Sequence, residues 1–139
     1  MESDDVVPVD KWRTIWRDVV VPLLSMRSLV ALRDALAVDD PRLIQRRTIE
    51  PALSYFRQKE PVQVRAACIL AYCGWKGENL ETAYEVTVFI ADLWRKIDKR
   101  TGSAESCRVL LKTFDGWSRR TMLETMLPEV ERAIQQRTG

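Results

Sequence analysis

Apolar residues recur along this chain at three- and four-residue spacing, the period of amphipathic helices. Trp12, Ile15, Trp16, Val19 and Val20 form the first such face, with Asp10 as its cap and Pro22 as the point where the helix bends or ends. Ser25 or Ser28 restarts the chain into Leu29, Val30, Leu32, Leu36 and Val38. Asp39-Asp40-Pro41 then reads as a helix start, an acidic cap with proline at the first helical position. That helix offers Leu43, Ile44 and Arg47 on one face. Pro51 breaks it near Thr48-Ile49-Glu50, and the pattern resumes through Leu53, Tyr55 and Phe56.

Between Pro61 and Ile97 the pattern changes. Pro61 to Cys73 carries only Gln63 and Arg65 as strongly polar side chains, and reads as a helix apolar around most of its circumference. From Leu80 to Ile97 the charges Glu81, Glu85, Asp92 and Lys96 fall on one narrow stripe. A surface helix needs a single apolar stripe, so both segments are expected to be covered on several sides. The short connection Gly74 to Asn79, with Asn79 as a cap, makes them an antiparallel hairpin. Basic residues at Arg95–Arg100 followed by Gly102 mark the end of the second helix.

Ser103 is placed to cap a further helix containing Cys107, Val109, Leu110, Leu111 and Phe114, and Asp115-Gly116 is a turn. A last helix runs from about Ser118 to Gln136 through Met122, Leu123, Met126, Leu127, Val130 and Ile134. Thr121 and Glu124 have capping-box spacing, and Pro128 marks a kink or a new start. The alternation of a β-strand is not evident. The expected fold is therefore all-α, a compact bundle of about six to eight helices around a central buried antiparallel helical hairpin, residues 61–97. Residues 1–8 read as a flexible acidic N-terminus and residues 9–137 as a single helical domain.

Composition narrows the chemistry. Histidine is absent, which removes the commonest general base and metal ligand. The three cysteines lack the spacing of a zinc site, and no Asp or Glu stands isolated in an apolar run. Cys68 and Cys73 project about 140° apart on a helix, so all three cysteines are expected as buried free thiols. Neither an enzyme, a cofactor nor a metal is expected. No apolar run reaches the ~20 residues of a membrane span. The acidic start Met1-Glu-Ser-Asp-Asp5 is unlike a secretory signal, so the expected location is intracellular, in the cytoplasm.

Two segments, Asp40-Pro-Arg-Leu-Ile-Gln-Arg-Arg and Glu60-Pro-Val-Gln-Val-Arg-Ala-Ala, each open acidic-proline and place an arginine early. Each resembles the second helix of a HEAT-type repeat. Twenty residues separate them, about half the period of such a repeat, so they read as two independently capped helices. From Pro8 to Arg47 the residues Val7-Pro8, Trp12, Ile15, Leu23-Leu24, Ser28-Leu29, Leu32-Arg33 and Leu43-Ile44 resemble an F-box. That resemblance implies a small helical adaptor recruiting substrates to a ubiquitin ligase.

Charge is unevenly distributed. Pro41 to Gly77 holds seven basic residues against two acidic, and Arg95 to Arg100 four against one. If the two stretches share a face, Arg42, Arg46, Arg47, Lys59, Arg95, Lys96, Lys99 and Arg100 would track the phosphates of RNA or DNA, with Trp75 or Tyr55 stacking on bases. Arg119-Arg120 at a helix start is a second candidate anion site. The leading expectation is different. Trp12, Trp16, Trp117 and Met122 are the candidate anchors of a protein interface, because tryptophan at an exposed edge is a favoured hot spot. The expected function is a non-enzymatic protein–protein interaction module, a subunit, adaptor or regulator, with a homo-oligomer among the expected assemblies and nucleic-acid binding as the alternative.

Overall fold

A computed structural model describes residues 11–51 and 61–139. The expected cap Asp10, the segment Leu53–Phe56 and Lys59 lie outside them. The architecture is mostly helical with one small sheet. Helix α1 (Lys11–Ile15) continues into a π-helical stretch, Trp16–Val20, and a last turn, α2 (Val21–Leu23). Pro22 lacks the N–H that would reach back to Asp18. The widened turn absorbs this, with the Val21 N–H donating to the Trp16 carbonyl five residues back. The widening also explains which side chains are buried. Trp12, Trp16, Val20 and Leu24 all face inward, although four-residue steps drift by about 40° each on a regular α-helix.

Ser25 caps α3 (Met26–Ala37), its hydroxyl accepting from the Ser28 N–H at 3.1 Å. The helix start expected at Asp39-Asp40-Pro41 does not form. Asp40 does take the Arg42 N–H at 2.9 Å, as a cap would. The chain is then drawn away, because Ile44 N–H donates to the Ala67 carbonyl and Ala67 N–H to that of Arg42, each at 2.9 Å. Residues 38–48 form a loop with Asp39 and Arg46 at positive φ.

The expected helix over 61–73 is also corrected. Its first part is a strand, β2 (Val64–Ala67), antiparallel to β1 (Ile49–Pro51) with Glu50 opposite Ala66. Val64 is buried, Arg65 exposed and Ala66 buried, the period of a half-covered strand. Its β-branched valine favours extended backbone. The Leu43 backbone adds a parallel bridge to Ala67. Helix begins only at α4 (Ile69–Tyr72), which runs into a second π-helical stretch, Cys73–Gly77. Every residue from Ile69 to Trp75 is buried, so this short segment is the true centre.

Helix α5 (Ala83–Thr101) starts at Thr82, not Asn79. Thr82 and Glu85 form a reciprocal capping box, while Asn79 takes a left-handed turn. It ends as expected with Lys99 and Arg100 in the last turn and Gly102 at φ 73°. It is not covered on several sides: Val86, Leu93 and Ile97 are its buried residues, and Trp94 is half-buried. Helix α6 (Ser106–Gly116) takes its N-terminal partner from α5, the Asp98 carboxylate accepting the Cys107 N–H at 2.9 Å. Ser103 bonds the Glu105 N–H instead of serving as cap. Helix α7 (Arg119–Thr138) is capped by Ser118 rather than Thr121 and continues through Pro128.

Helix α3 lies between α7 and the 73–77 stretch, while α5 packs on α6 and on both π-helical stretches. The closest approach is at Gly77, where a Cβ would come within 2.5 Å of the Ser28 Cα. A glycine there lets the two backbones meet.

Candidate functional site

The expected aromatic anchors belong to the core. Trp12 and Trp16 are buried in an edge-on aromatic cluster with Phe114, and Trp117 packs half-buried against it. Trp12 lies 4.9 Å from Trp117 and 6.3 Å from Phe114, and Trp16 is 6.3 Å from Phe114, all near perpendicular. Met122 is fully buried. Trp12, Trp16 and Met122 thus fasten the first helix to α6 and α7 from inside the core, and Trp117 lies partly exposed at its edge. Side-chain type alone gives no direction, and four-residue spacing fits an inward face as well as an outward one.

The basic positions divide between two places. Arg42 forms a bidentate pair with Asp40 and lies over the Trp75 ring at 5.7 Å, with Lys76 Nζ 4.3 Å from the same ring. The Arg42 guanidinium holds the Asp40 carboxyl down at about 2, and Tyr72, raised to about 12 by burial, hydrogen-bonds to Asp40 from beneath. Arg46 donates its backbone N–H to Asp115 at 2.8 Å, and its side chain is exposed, as is that of Arg47. Gln45 donates to the carbonyls of Phe114 and Trp117, closing the end of α6. Arg119 is not an anion site: it reaches Asp39, the Leu43 carbonyl and the Asp40 carbonyl at 2.5 to 2.7 Å. The loop is a clasp on the C-terminal end of α6.

Arg95, Lys96, Lys99 and Arg100 sit at the other end of α6, next to Asp98. Arg95 and Lys96 both pair with Asp92, at 2.5 and 2.8 Å, and Lys99 and Arg100 are exposed. Helix α6 has eleven residues, so about 16 Å of helix axis separates the two groups. The structure sets the two groups at opposite ends of α6.

A third cationic group surrounds the buried Glu129. Arg13 and Arg17 both donate to it, and with Arg132, Thr14, Asp18 and Gln136 they line an open cleft of about 390 Å³. Arg17 first, with Arg13, holds the Glu129 carboxyl below its ordinary value. Similarly Ser25, Ser28 and Arg27 bind Glu78 and lower its pKa, tying the end of the 73–77 stretch to the start of α3. No group of three or more metal-ligating side chains occurs among the described residues. None of the helices among them is long and apolar enough to cross a membrane.

The surface feature without a sequence forecast is on α5. Four large apolar side chains are exposed among the described residues: Val38, Val62, Tyr84 and Val88. Three gather at one end of α5. The Ala83 N–H donates to the Val62 carbonyl at 2.7 Å and the Val64 N–H to the Glu81 carbonyl at 3.0 Å, which sets Val62 beside the helix start. Tyr84 is 78% exposed, and Val88, one turn on, is 49% exposed, as is Val62. The signal in the sequence was Tyr84, Val88, Ala91, Arg95 and Lys99 recurring at helical spacing, a stripe distinct from buried Val86, Leu93 and Ile97.

Comparison with protein-family models, curated proteins and solved structures finds no match to this chain.

Proposed function

We propose that this chain is a non-enzymatic protein–protein interaction module that docks its partner on the outer face of α5. Its support is the clustering of Val62, Tyr84 and Val88, three of the four large apolar side chains exposed among the described residues. A single exposed valine is ordinary, whereas Tyr84 and Val88 one turn apart on one helix face, with exposed Val62 in the segment hydrogen-bonded to the helix start, make a small apolar surface. Tyrosine brings a large contact area with a polar tip that tolerates both water and a partner. The carboxylates of Asp40, Glu78 and Glu129 are held ionised by arginines and hydroxyls, the opposite of the raised pKa that proton-transfer catalysis uses.

The test is co-purification of the full chain from its source cells after in-cell cross-linking, beside Tyr84→Glu and Val88→Glu. The expected result is loss of a specific cross-linked band with both variants, their thermal midpoints staying near wild type. An unchanged set of cross-linked proteins removes the face from the reading.

A further inference from the structure

We infer that the occupant of this face is a second copy of the chain, paired antiparallel along α5 about a two-fold axis near Phe89 and Ile90. The inference rests on the docking reading above and adds the identity of the partner. Glu81, Tyr84, Val88, Ala91, Arg95 and Lys99 are all exposed. From Tyr84 onward they follow the helix period, steps of four, three, four and four residues, and Glu81 stands just ahead of the Thr82 cap.

The stripe is self-complementary when reversed. It begins acidic, passes through an aromatic, an aliphatic and a small residue, and ends basic. An antiparallel copy brings Glu81 opposite Lys99, Tyr84 beside Arg95 and Val88 beside Ala91. Each contact occurs twice, as a two-fold interface requires. A parallel arrangement would set Glu81 against Glu81 and Lys99 against Lys99.

The chemistry of each pairing is favourable. Arg95 is held in place by Asp92 and would present its guanidinium plane to the tyrosine ring, a cation–π contact. Ala91, near the middle of the helix, lets the two axes come within the ~8 Å of close helix packing. Val62, exposed, adjoins the helix start through the bond its carbonyl accepts from the Ala83 N–H. Among the described residues the Glu81 and Lys99 side chains have no hydrogen bond or ion pair. Both are therefore available across the two-fold.

A nineteen-residue helix is about 28 Å long, so one helix pair with a short flank falls at the small end of specific interfaces. Self-association is accordingly reversible and concentration-dependent, and salt weakens it through the two rim charge pairs.

The experiment is sedimentation of the full chain from micromolar to about 1 mM, for wild type, Glu81→Lys, Lys99→Glu and an equimolar mixture of the two variants. Wild type should rise to a mass of two chains and stop there. Each variant alone should associate at least about tenfold more weakly, because like charges then face each other. The mixture should regain wild-type association, since the two changes complement each other across the axis. Both substitutions are exposed, and circular dichroism confirms the unchanged fold. A wild-type chain that stays monomeric throughout overturns the inference, and so does a mixture no stronger than its components. The two readings fail separately. A monomeric chain whose Tyr84→Glu variant loses a cross-linked band of another protein keeps the docking face and excludes the second copy.

Discussion

Arg17 and Glu129 form a bidentate ion pair across the molecule, Nε to Oε1 at 2.8 Å and Nη2 to Oε2 at 2.6 Å. Arg13 adds a third contact at 3.3 Å. The pair joins the first π-helical stretch to the middle of α7, and Glu129 is only 7% exposed.

Replacing Glu129 with glutamine should therefore destabilise the protein by about 1–2 kcal/mol, because two guanidinium groups lose a charged acceptor. Both arginines remain about a third exposed, and solvent screening keeps the cost at the lower end. Urea denaturation at neutral pH measures it. The pH dependence follows in sign. Glu129 is lowered from its ordinary 4.5, and separately Asp40 is lowered from 3.8 to about 2. Their stabilisation is complete above the unfolded values and is lost as pH falls through the folded ones. Wild type should lose stability on acidification from about pH 4.5 downward, and Glu129→Gln should flatten the upper part of that limb. An identical acid limb in the variant would show that the pair contributes nothing.

Gly77→Ala should cost about 2 kcal/mol or more, since the added methyl meets the Ser28 Cα as well as its hydroxyl, and backbone cannot swing aside. Gly116→Ala is the control: it finds open space there and should leave the melting temperature almost unchanged. Equal melting temperatures for the two variants would contradict the close approach of α3 and the 73–77 stretch.

Trp12 and Tyr84 should separate stability from surface. Trp12→Ala removes a buried partner of Phe114 and Trp117 and should cost about 3–5 kcal/mol. Tyr84→Ala, at an exposed position, should stay within about 0.5 kcal/mol of wild type. Chemical denaturation of both variants checks the pair, and a comparable loss in each would place Tyr84 inside.

The thiols should be silent in the folded chain. Burial raises Cys68 to about 11, Cys107 to about 12 and Cys73 further still, so thiolate is scarce at neutral pH. An alkylating reagent should label all three only on unfolding. Labelling of any one at the rate of a small free thiol would mean that its segment opens.

What the sequence disclosed and what it withheld divide along the range of the interactions. Ser25, Gly102 and Ser118 mark helix ends through contacts within a few residues, and all three are visible as sequence signals. The all-α class follows from such local periods. Strand β2 was missed because its partner strand lies well back along the chain, with Glu50 opposite Ala66. The alternation Val62-Gln63-Val64-Arg65 was its one local trace. Asp40 shows the limit most directly. It makes the capping-type bond its sequence advertises, yet Ala67 decides that no helix follows. The candidate face was hidden for a related reason. Reading Glu81, Glu85, Asp92 and Lys96 as the solvent side of α5 turned Tyr84 inward, whereas the buried line runs through Val86, Leu93 and Ile97.

The widened turn at Trp16–Val20 makes chain length itself a structural determinant. Removing one residue there would let an ordinary helix form with Trp16 and Leu24 seven residues apart and still within about 20° of one face. Forcing an ordinary helix on the full-length segment would instead turn Val20 by about 40° and Leu24 by about 80° away from Trp16. A substitution scan of this segment would register only individual packing losses. A single-residue deletion tolerated by the fold would show that the widened turn stores one surplus residue.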